Sequence, residues 1–236
     1  MSGGRRRRPG PRFRPAARPD RRPHHRITSR VVTSQHASNH PTVVFYGDSI
    51  VTGWRGTTHP RARWSSLVSD ELGWREVNLS INGMGYFRRR GPRGGDDRYL
   101  PSATDTTLLD AAIRLDPDAV IVCLAANDIR MLPEHADEVR AAIDRDLTRL
   151  RDELPGRPIL VVTYYPVAEL SERATLINNW VAGTAERLGL TYVDAFRRTV
   201  DGDEKLLCDD HTHPNDDGHR ALADAILPAC RALTLR

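Results

Sequence analysis

The chain has 236 residues, 28% of them charged and 39% hydrophobic, with a formal net charge of +4 at pH 7. That balance excludes a collagen-like or wholly disordered polymer, and no apolar run approaches the roughly 20 residues of a membrane span, so one globular domain with a tail is expected. The charge is unevenly placed: eleven arginines against Asp20 make residues 1–30 +10, which leaves −6 for the remainder.

Residues 1–38 hold arginine, proline, glycine and histidine with hardly any apolar side chain. Such a segment cannot bury enough surface to offset the entropy of ordering, so a disordered basic arm is expected, free to touch nucleic acid or another acidic surface. No apolar stretch follows the arginines as it does in a secretion signal, which makes a cytoplasmic location the expectation, provided the start codon is correctly placed. Cys123, Cys208 and Cys230 are odd in number and widely spaced, which suits neither a disulfide framework nor a zinc motif. Cys123 lies in an apolar run and reads as a buried thiol.

From residue 42 the pattern changes. A β-rich run at 42–46 ends in Gly47, and Trp64, Leu67, Val68 and Leu72 share one face of a helix over 61–72. A strand at 75–79, a long glycine–arginine loop at 82–101 and a helix near 104–115 follow. Residues 119–124 are continuously apolar, as in a strand covered on both faces. A helix after Pro133 carries Ala136, Val139, Ile143, Leu147 and Leu150 at helical spacing. Strands at 158–163 and 190–193 flank a helix at 171–188, and a last helix covers about 216–233. Strands alternating with helices predict a five-stranded parallel sheet between two helical layers, the α/β/α flavodoxin-like architecture.

Ligands of such sheets bind beyond the carboxyl ends of the strands. That rule collects residues 47–49, 78–85, 125–128 and 164–166 at one edge, with the loop 207–214 able to close over them. Ser49 directly follows a buried strand, where its hydroxyl is presented. Asp210 stands three residues before His213, so it can hold one ring nitrogen while the other takes a proton from a serine. Pro214 and the cap residues Asn215 and Asp216 start a helix that would fix this histidine. Asn127, an amide at the end of an apolar strand, is suited to donate to an oxyanion, and a backbone N–H at Gly83 can do the same.

At these residues the chain resembles the SGNH hydrolases, also called the GDSL lipase/esterase family. Its first block appears as Gly47-Asp48-Ser49-Ile50, with isoleucine for the usual leucine. The second is carried by Asn78 and Gly83, with Ser80 where glycine is frequent. The third is Ala125-Ala126-Asn127-Asp128, with alanine for the family's first glycine, and the last is Asp210-His211-Thr212-His213-Pro214. The resemblance implies a hydrolase domain over 39–236 that needs no cofactor and no metal and cleaves an ester through an acyl-enzyme. It implies Ser49 as nucleophile, His213 as base and Asp210 as its orienting partner. It further implies an oxyanion hole made by the N–H groups of Ser49 and Gly83 and the Asn127 side chain.

Two rival readings exist. A metal-dependent hydrolase would draw on His211, His213 and His219 with Asp209, Asp210, Asp216 or Asp217, although the spacing fits no familiar ligand motif. A nucleic-acid-binding protein with a silent domain would use the basic arm and Arg88, Arg89, Arg90, Arg93 and Arg98. No Gly-x-Ser-x-Gly and no phosphate-binding loop is present. Trp54, Met84, Tyr86, Phe87, Met131, Tyr164 and Tyr165 follow strand ends and predict an apolar, aromatic pocket for the acyl group of a small ester.

Overall fold

The structure, a computed structural model, describes residues 40–88 and 105–235. The expectations for the 1–38 arm and for Arg89, Arg90, Arg93 and Arg98 lie outside these residues.

Five strands, β1 (Thr42–Gly47), β2 (Arg75–Asn78), β3 (Ala119–Cys123), β4 (Ile159–Val162) and β5 (Thr191–Val193), form one parallel sheet in the order β2-β1-β3-β4-β5. Every residue of β1, β3 and β4 is buried, which is why these strands read as unbroken apolar runs. The edge strands β2 and β5 are only partly covered and keep Arg75 and Thr191 exposed. The expected flavodoxin-like order is therefore observed, and the strand order reverses between β1 and β3. Gly47 lies opposite Cys123, so the chain leaves both strands side by side at one edge.

Among the described residues six α-helices accompany the sheet: α1 (Ser49–Thr52), α2 (Trp64–Leu72), α3 (Thr107–Arg114), α4 (Leu132–Glu153), α5 (Glu172–Leu188) and α6 (Asp216–Arg231). The alternation of side chains along each strand divides the core into two layers. On one face Val43, Phe45, Ile121 and Leu160 meet α2 and α6 through Val68, Leu222 and Ile226. On the other, Val44, Val120, Val122 and Val161 meet Leu109 of α3, Ile143 and Leu147 of α4, and Ile177 and Val181 of α5.

Trp64 ties the first layer to the sheet edge. It is fully buried between Phe45 and Phe196, with edge-on ring contacts at 5.4 and 5.1 Å, and its indole N–H donates to the Ile50 carbonyl at 3.1 Å. Emptying a site of this kind costs about 3–5 kcal/mol in general. Here it would also release α1. Three features depart from the sequence expectation: α1 itself and two 3₁₀ turns, Pro60–Ala62 and Ala126–Met131. Each is too short to produce a periodic signal. The helix expected after Pro133 begins at Leu132 and is interrupted at His135 (φ −132°, ψ 33°).

Candidate active site

Ser49 is the first residue of α1, directly beyond β1. Its Oγ lies 3.0 Å from Nε2 of His213, whose Nδ1 lies 2.8 Å from Oδ2 of Asp210. The other oxygen of Asp210 accepts from the backbone N–H groups of His213 (2.9 Å) and Thr212 (3.1 Å). Partial burial works against the charge of Asp210, but these donors outweigh it and hold the carboxyl at about 2. Asp210 is thus an acceptor across the neutral range. That places the ring proton on Nδ1 and leaves Nε2 free to accept from the serine hydroxyl.

The loop bearing His213 is built rigidly. Asn215 caps α6 by accepting from Gly218 N–H at 3.0 Å, and its amide donates to the Lys205 and Leu207 carbonyls. The His213 carbonyl accepts from Cys208 N–H at 2.8 Å, and Tyr164 donates its hydroxyl to the Thr212 carbonyl at 2.8 Å. The segment after α1 docks directly on this loop. Thr58 donates to Asp216 through its backbone N–H (3.0 Å) and its hydroxyl (2.6 Å). Gly56 sits so close to the Pro214 carbonyl that a Cβ there would collide with it. Residues 158 positions apart in the chain are thereby clasped into one unit.

Two buried carboxylates that the sequence reading passed over organise the rest. Asp128 is fully buried and accepts from the N–H groups of Tyr86 (2.7 Å), Phe87 (3.4 Å) and Arg88 (2.8 Å), which folds that segment inward. Gly85 leaves room for the carboxylate, since a Cβ would overlap it. Asp48 accepts from Ile50 N–H at 2.9 Å and from the Asn127 amide at 2.9 Å. The same amide nitrogen donates to the Met84 carbonyl at 3.0 Å, so both Asn127 N–H bonds are in use. Their signal in the sequence was position alone, next to Ser49 and next to Asn127. Ala125, which precedes this pair, has φ +122°, a conformation that glycine adopts freely and that costs other residues about 1–3 kcal/mol.

Burial pushes the Asp48 carboxyl up to about 7, against the lowering effect of the Ile50 N–H and the Asn127 amide. A carboxyl raised by folding binds its proton more tightly in the folded state. Its contribution to stability is therefore complete below the ordinary carboxylate range and is lost as pH rises through about 7. Asp48→Asn keeps the acceptor for Ile50 and removes the titration. We expect the urea midpoint of this variant to gain on the wild type steadily between about pH 4 and pH 7. A constant difference across that range would show that Asp48 is ionised throughout.

Ser49, Asn127, Tyr164, Asp210 and His213 line one cavity of about 300 Å³, together with Asp48, Ile50, Arg88, Ala126, Arg130, Pro166 and Thr212. Gly83, at φ +73°, lies in the turn Ile81–Met84 that the Gly47 carbonyl holds through Ile81 N–H (3.1 Å). Of the expected pocket residues, Tyr164 lines the cavity, and Trp54 stands exposed, edge-on to His213 with the ring centroids 5.1 Å apart. Met84 and Tyr86 do not line it. Both are fully buried in the core layer under α3 and α4, because Asp128 pulls their segment inward, and Met131 packs against the same layer. The three histidines of the metal reading diverge: His213 faces Ser49, His211 is exposed, and His219 is buried on α6, accepting from Trp64 N–H at 3.2 Å. Burial holds the His219 ring at about 4, hence neutral.

Residues 45–221 match the GDSL-like Lipase/Acylhydrolase family. GDSL lipase Rv0518 of Mycobacterium tuberculosis is 30% identical over 189 residues, covering 79% of this chain and 80% of its own. Two solved structures share the fold. That of TesA superimposes with a TM-score of 0.64 at 18% identity, over 82% of this chain and 99% of its own. The psychrotrophic esterase EstA from Pseudoalteromonas sp., inhibited by monoethylphosphonate, gives 0.64 at 15% identity, over 81% and 97%.

Proposed function

Since the chain belongs to the GDSL-like lipase/acylhydrolase family and is a hydrolase of esters, we propose that Ser49 is its nucleophile, His213 its general base and Asp210 the residue that orients that base and stabilises the charge it acquires. The observation that carries this reading is the pair of contacts on one imidazole, 3.0 Å to Ser49 Oγ and 2.8 Å to Asp210. As Oγ bonds to the ester carbonyl carbon, its proton passes to Nε2. The carbon–oxygen bond to the alcohol then breaks, and the alcohol leaves with that proton. Water attacks the acyl-serine, giving a proton to Nε2; the acyl–Oγ bond breaks and the proton returns to Ser49. Labelling by a fluorophosphonate, traced to the peptide bearing Ser49, tests the covalent step. Labelling elsewhere, or none in active protein, would overturn it.

The N–H of Ser49 stands at the first position of α1, where no intrahelical acceptor exists, and is proposed to meet the oxyanion together with Gly83 N–H. Asn127 is proposed as the third donor, under a constraint the sequence did not reveal. To serve the oxyanion it must yield or share the bond to the Met84 carbonyl. A bond to a charged group stabilises by about 1.5–3 kcal/mol and a neutral one by about 0.5–1.5, so the net gain is about one kcal/mol. Asn127→Ala should therefore lower kcat by about tenfold, below the roughly hundredfold typical of a donor held free. It should also melt early, by about 1–3 kcal/mol, because Asp48 loses its partner. A thousandfold loss at an unchanged melting temperature would show an amide uncommitted in the free enzyme.

A further inference from the structure

We infer that Arg130, with Arg88 in the same cavity, selects esters whose acyl chain carries an anionic group such as a carboxylate. The inference rests on the serine-esterase reading of the site and adds the substrate class to it. In the 3₁₀ turn Ala126–Met131 residues three apart eclipse one another, so Arg130 stacks over Asn127, and both line the cavity. Arg88 lines the same space, its backbone pinned by Asp128. The turn thus presents a guanidinium to the space an acyl chain must enter.

Among the described residues no carboxylate pairs with Arg130. Among the described residues it is exposed and takes part in no hydrogen bond or ion pair, whereas Arg149 and Arg157 are each held by two carboxylates. The two carboxylates of the cavity are committed elsewhere. Asp48 is turned to Ile50 N–H and Asn127, and Asp210 to His213, with Arg55 3.7 Å away. The described walls are short of apolar surface: among the described lining residues only Ile50, Ala126 and Pro166 are aliphatic, and the Tyr164 hydroxyl is spent on Thr212. A cavity of about 300 Å³ so lined does not shelter a fatty acyl chain. A short acyl chain ending in a carboxylate leaves its two oxygens to the planar fork of an arginine.

The test compares monoethyl succinate with ethyl 4-methylpentanoate, near-isosteres differing in the terminal charge, by pH-stat titration of the released acid. The wild type should favour the succinate by about tenfold in kcat/KM. That ratio should fall about tenfold in Arg130→Gln, fall less in Arg130→Lys, and shrink as salt is raised. Equal turnover of the two esters by the wild type, or an unchanged ratio in Arg130→Gln, overturns the inference while leaving the esterase reading intact. Turnover of both that persists in Ser49→Ala overturns the reading beneath it.

Discussion

Ser49→Ala is expected to lower kcat/KM for a simple ester by about 10⁵-fold or more, and to abolish fluorophosphonate labelling, without lowering the melting temperature. The fold should not notice the change. The hydroxyl makes its contact with His213 at the cavity, while α1 is held by Trp64 and by the Asp48 cap. Residual turnover would come from the oxyanion donors and from binding, which act on any water that reaches the carbonyl. Rates measured on initial velocity, with the variant checked for folding by circular dichroism, decide the matter. A Ser49→Ala protein within tenfold of wild type would remove the acyl-enzyme from the mechanism.

The second large effect separates two histidines that stand two residues apart. His213→Ala should be as damaging as Ser49→Ala, and the double variant no worse than either, because residues acting as one unit do not add. Asp210→Asn should cost about 10⁴-fold by disturbing the tautomer of the imidazole. His211→Ala should remain within about tenfold, since its ring is exposed and its contact with the loop is a backbone N–H given to the Cys208 carbonyl. The kcat values of the three variants, on one neutral ester, are the measurement. The opposite ranking of His211 and His213 would mean that Asp210 serves the other ring.

The strands and the long helices were legible because burial on both faces writes an unbroken apolar run into the sequence, and burial on one helical stripe a period. Val120 and Ile143 are such residues. The joining of Ser49, Asp210 and His213 was legible for another reason: the strand ends of a parallel sheet meet at one edge, and the three-residue spacing of Asp210 and His213 marked the loop that closes over it. What escaped was decided by short polar contacts. Met84 and Tyr86 follow a strand end as pocket residues do, but Asp128 gathers three N–H groups and turns the segment into the core. Arg130 carried no signal in the sequence, because the 3₁₀ turn that sets it over Asn127 is invisible to periodicity. The shared use of the Asn127 amide by Asp48 and Met84 depends on angles that no spacing encodes.

The clasp between the segment after α1 and the start of α6 has a consequence for biosynthesis. A chain made from its amino end presents Ser49 early, whereas His213 follows only 164 residues later. Until α6 has formed and Gly56 and Thr58 have closed on Pro214 and Asp216, the serine hydroxyl has nothing to take its proton. On the proposed chemistry a nascent or prematurely terminated chain that lacks α6 is inert toward esters, and hydrolysis begins only once that helix has been made and has packed.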